Sequence, residues 1–111
     1  MELSKKEKKI AREVIEKGLQ VEFVEALHAA DSVLKEWKNQ TMDSRTAYHA
    51  LYKSMVTFDK HIAGRYDNMT GSKYVFIIAA QLADEVISKD ALKDFSEQVQ
   101  KAIIHMSGRE E

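Results

Sequence analysis

A chain of 111 residues, 44% hydrophobic and 32% charged, fits one soluble domain with a modest core and leaves no room for a separate catalytic lobe. Its 17 basic and 18 acidic residues give a formal net charge of -1, which supplies no field to gather nucleic acid or an anionic membrane. The absence of cysteine excludes disulfides, zinc knuckles and thiol catalysis, and no apolar run approaches the roughly 20 residues of a membrane span. With Lys5, Lys6, Lys8 and Lys9 near the start and no apolar secretory core after them, a cytoplasmic location is expected.

Proline is absent, so long helices meet few obstacles and the chain reads as all-α. Ser4-Lys5-Lys6-Glu7 is a capping box, in which the serine oxygen accepts an early backbone N–H and the glutamate returns a bond to the serine amide. Beyond it, Phe23, Leu27, Ala30, Leu34 and Trp37 recur at alternating spacings of four and three, and Ile10, Val14, Val21 and Val24 form an earlier stripe. One interior glycine costs only about 1 kcal/mol, so Gly18 is expected to sit inside a single long helix over about 4–38. Such a helix extends about 50 Å, more than a small domain covers. Its apolar stripe therefore predicts a homodimer, with Val21, Phe23, Val24, Leu27, Leu34 and Trp37 at the interface.

A second helix over about 43–65, capped by Asp43 or Ser44, carries Tyr48, Leu51, Tyr52, Met55, Phe58 and Ile62 on one face. Asp67 to Gly71 has turn chemistry, and Ser72 is placed to cap a third helix over about 72–86, apolar in nearly every direction and hence the buried centre. Ser88 caps a fourth helix over about 89–106, with Leu92, Phe95, Val99, Ile103 and Met106 on one side and Gly108 as its stop. The expected architecture is a single helical domain, one long helix and three shorter ones, dimeric, with a small helical head.

Chemistry-bearing patterns are sparse. Glu25 and His28 match one Glu-x-x-His element of carboxylate-bridged metal bundles, but no second copy exists, so a metal-binding bundle is the alternative reading rather than the first. Ser54 and His61 lie two helical turns apart, too far to form a dyad, and Tyr52, Lys53, Asp59 and His61 read as the wet side of a helix. No enzyme activity, metal or cofactor is expected. The cluster Tyr48, Tyr52, Lys53, Phe58, Lys60, Arg65 and Tyr66 is composed either as a recognition surface or as ordinary core with flanking charge. Arg65 and Asp67 could alternatively bridge the turn after the second helix.

The block Ile62-Ala63-Gly64-Arg65-Tyr66-Asp67 and the later step Ala80-Gln81-Leu82 resemble the fluorescence recovery proteins, small helical dimers that act on the orange carotenoid protein. The likeness runs from about Tyr48 to Ile103, with the first helix agreeing in pattern only. It implies a dimer built on the long helix, and a regulatory mode of action: binding and modulating a partner protein, with an orange carotenoid protein-like client only in a photosynthetic setting. His49 stands where the family carries tryptophan, and Tyr52 and Lys53 where it carries histidine and aspartate, which reverses charge on the family's central surface. His49, Tyr52, Lys53, Lys60, Arg65, Tyr66 and Asp67 are accordingly the expected contacts to an unidentified partner protein.

Overall fold

The computed structural model describes residues 2–110, and among these every regular element is helical. Helix α1 spans Lys5–Lys38, α2 Ser44–Tyr66, α3 Tyr74–Ala83 and α4 Glu97–Ser107; short 3-10 turns occupy Gly71–Lys73 and Lys89–Leu92. The long first helix forms as expected, running through Gly18 without a break. The chain groups into two compact units, one of Met1–Val21 with Asn68–Glu111 and the other of Glu22–Asp67. No helix among the described residues is long and apolar enough to cross a membrane.

The first unit holds the aliphatic core. Ile15, Ile78, Leu92 and Ile103 are almost wholly buried, joined by Val14, Val75, Ile77, Leu82, Phe95 and Val99. Helix α3 packs on α4 and is buried nearly all round, as its composition requires, with Phe76 the exposed exception. Gln81 lies inside this core, and its amide donates to the Ile15 carbonyl of α1 at 3.0 Å. Gly18 is what admits it: a Cβ there would sit 2.2 Å from Gln81 Nε2 and 3.2 Å from a methyl of Ile87.

Three helix ends share one backbone device. After α1, Thr41 N–H bonds the Glu36 carbonyl and Gln40 N–H that of Trp37; after α3, Val86 N–H bonds Gln81 and Glu85 N–H bonds Leu82; after α4, Arg109 N–H bonds Ile104 and Gly108 N–H bonds His105. Each is the paired bond of a Schellman motif, which needs a left-handed residue, and Gln40, Glu85 and Gly108 have φ of 62°, 62° and 75°. Only the last is glycine. Helix α3 therefore stops at Ala83, short of the expected residue 86, and the buried Val86 closes the motif from outside the helix.

The fourth helix also begins later than expected. The segment at Lys89–Leu92 is a 3-10 turn with no side-chain cap from Ser88, and the effective N-cap is Ser96, whose hydroxyl accepts from Val99 N–H. Likewise Asp43 rather than Ser44 caps α2, accepting from Thr46 N–H at 2.7 Å, and a 3-10 turn rather than a Ser72 cap leads into α3.

The capping box at Ser4 half forms. Glu7 N–H donates to the serine hydroxyl at 3.1 Å, but the glutamate accepts from that hydroxyl and from the backbone N–H of Ser96 instead of returning to the serine amide. The Ser96 N–H, the largest influence, holds the Glu7 carboxyl below its usual range. A depressed folded value means stability that is present above the unfolded value and is lost as pH falls through the folded one. Acid titrations of stability are thus expected to show a shallower acidic limb in Glu7→Gln than in the parent, read by urea midpoints at successive pH values.

Candidate functional site

The second unit is a helical hairpin built from the latter half of α1 and the whole of α2. At its turn, Trp37 Nε1 donates to Ser44 Oγ at 3.0 Å. At the other end, Glu22 of α1 meets the last turns of α2. Glu22 Oε1 lies 2.7 Å from His61 Nε2 and accepts from Arg65 Nη1 at 3.1 Å, while Oε2 accepts from the Tyr66 hydroxyl. Such pairing from both ends makes the two helices antiparallel.

The Glu22 side chain is 4% exposed, Arg65 10% and His61 45%. A buried carboxylate is costly unless its lone pairs are filled, and three donors fill them here, one a guanidinium. The cluster is a lock that fixes the hairpin's open end. Arg65 and Tyr66, expected on a partner surface, are turned inward by it, and Asp67 is the C-cap of α2, its N–H bonding the Ala63 carbonyl. The bridge that orders this corner thus runs from Arg65 to Glu22.

What the hairpin leaves uncovered is apolar. Its buried residues are Glu22, Ala26, Ala47 and Tyr66, so no aliphatic side chain larger than alanine is fully inside it. Phe23, Val24, Leu27, Leu34 and Trp37 are all exposed, Leu27 by 64%, and Val21 just before them is exposed as well. At about 100° per residue, Phe23, Leu27, Leu34 and Trp37 fall within an arc of about 80°, a strip lying to one side of Glu22 and Ala26. Helix α2 exposes Tyr48 and Tyr52 by 69% and 65%, together with Met55. His49, Tyr52, Lys53 and Lys60 are all on the surface.

Among the described residues no group of three or more His, Cys, Asp or Glu gathers as a metal would need, and Glu25 and His28 remain exposed. His61 faces Glu22, on the side of α2 away from Tyr52. The hollow nearest Ser54, lined by Ala50, Lys53, Thr57 and Phe58, is a shallow open depression rather than an enclosed pocket. No protein-family model, curated protein or solved structure matches the chain.

Proposed function

We propose that the chain is a non-enzymatic, cytoplasmic regulatory protein that dimerises through the exposed strip of α1 and binds and modulates a partner protein through α2, in the manner implied by its likeness to the fluorescence recovery proteins. The observation that carries this reading is the hairpin's surface: Phe23, Leu27, Leu34, Trp37, Tyr48 and Tyr52 are exposed, while its fully buried residues are Glu22, Ala26, Ala47 and Tyr66. Contiguous exposed apolar strips of this kind mark sites of association. A second copy supplies the same strip, and two strips of Phe23, Leu27, Leu34 and Trp37 bury one another about a two-fold axis.

The partner contacts in this reading are His49, Tyr52, Lys53 and Lys60, with Tyr48 beside them; Arg65 and Tyr66 act through the shape of the hairpin. The orange carotenoid protein is no part of the proposal, because Lys53 places positive charge where the family carries a carboxylate.

Light scattering at micromolar concentration is expected to give twice the chain mass for the parent and the chain mass for the double variant Leu27→Glu with Leu34→Glu, which keeps the parent's helical circular dichroism. A parent that runs as a monomer overturns the dimer.

A further inference from the structure

One face of α2 carries a row of charge that no described residue answers with an ion pair. Between Ser44 and Tyr66 the helix has Arg45, Lys53, Lys60 and Arg65 against a single carboxylate, Asp59. Arg65 is taken by Glu22. Arg45, Lys53 and Lys60 form no ion pair with any described residue, whereas Lys35, Lys93, Lys101 and Arg109 each meet a carboxylate within 4 Å. By helical geometry, Arg45, His49, Lys53 and Lys60 share an arc of about 80°, on the side of α2 away from Ala47 and Arg65. The row is about 22 Å long, at 1.5 Å per residue from Arg45 to Lys60. Along one edge of it run Tyr48, Tyr52 and Met55, all exposed.

We infer that this face binds an acidic amphipathic helix of the partner protein, its carboxylates along the Arg45–Lys60 row and its apolar edge on Tyr48, Tyr52 and Met55. The inference rests on the proposed function and names the chemistry of the partner. A facing helix repeats its carboxylates every four residues, and Arg45, His49 and Lys53 repeat at that interval. The tyrosine edge gives the apolar burial that an amphipathic helix requires. Polyanion binding would also draw on long-range attraction, which a chain of net charge -1 does not exert.

The test uses the full chain and three fluorescein-labelled probes: a synthetic amphipathic helical peptide of about five turns with glutamates four residues apart beside a leucine edge, the same peptide with lysine for glutamate, and an oligothymidine strand. Anisotropy is expected to show the acidic peptide binding at least about tenfold tighter than its lysine counterpart, with affinity falling several-fold as salt rises. Lys53→Glu with Lys60→Glu is expected to lose at least about tenfold in affinity for the acidic peptide, with helicity and light-scattering mass unchanged. Equal binding of the two peptides, tighter binding of the oligonucleotide, or indifference to the double substitution overturns the inference. Failure of the dimer is a separate outcome: a monomeric parent that still takes the acidic peptide through Lys53 and Lys60 refutes the association of α1 and leaves this face standing.

Discussion

Glu22→Ala is expected to lower the unfolding free energy by about 3–5 kcal/mol, the cost of removing one partner from a buried ion pair. The reason is local. Arg65 is 10% exposed and pairs with Glu22 Oε1, and the buried Tyr66 hydroxyl donates to Oε2, so alanine removes the carboxylate that both inward-facing groups meet. Glu22→Gln is expected to lose less, because its amide oxygen still accepts from one donor. Urea unfolding at neutral pH, followed by far-ultraviolet circular dichroism, measures both. Equal stability of parent and Glu22→Ala would show that the cluster contributes nothing net. A double-mutant cycle with Arg65→Met separates the pair from the truncation, since removing both charges is expected to cost less than the sum of the two single changes.

The second expected result is an opposition of sign between two glycines inside helices. Gly18→Ala gains about 1 kcal/mol of helix propensity, but its Cβ arrives 2.2 Å from Gln81 Nε2. A long polar side chain on a surface would swing aside; Gln81 is fully buried and committed to the Ile15 carbonyl, so yielding means breaking that bond or shifting α3. Overpacking of this kind costs about 1–3 kcal/mol, and we expect the net change to be destabilising. Gly64 in α2 has nothing within 4 Å of a Cβ position, so Gly64→Ala is expected to stabilise by about 0.5–1 kcal/mol. Thermal melts of the two variants against the parent suffice, and a stabilising Gly18→Ala would remove the packing role assigned to that position.

These residues also show how far the sequence could be read. The continuity of α1 was legible because two apolar stripes outweigh one glycine, and a cap at Asp43 or Ser44 was legible because its chemistry is local, though not which of the two. The ends of α3 and the start of α4 were not. Glu85 takes the left-handed turn usually given to glycine, so nothing in the residue types marks the stop, and Ser96 sits between the core residues Phe95 and Val99, where it reads as part of a stripe. Gly18 looked like a small local penalty because its contact, Gln81, is 63 residues away along the chain, a separation no periodicity reports.

The partner surface divides along the same line. His49, Lys53 and Lys60 are exposed, as residues on the polar side of a periodic helix should be, whereas Tyr52 is exposed although the sequence places it on one face with Leu51 and Met55. The family likeness places Arg65 and Tyr66 on the partner surface, while their composition leaves core and surface both open, and what turns them inward is Glu22, more than 40 residues earlier in the chain. The only available hint was the position of that glutamate between Val21 and Phe23, where a carboxylate in an apolar stretch raises the question of its counter-ion.

Trp37 is the only tryptophan in the chain, and it lies half-solvated in the uncovered strip with its indole N–H on Ser44. The protein therefore carries a built-in optical reporter at that one place. Whatever comes to cover the strip dries the indole and moves its emission toward the blue, without a label and without a change elsewhere in the chain.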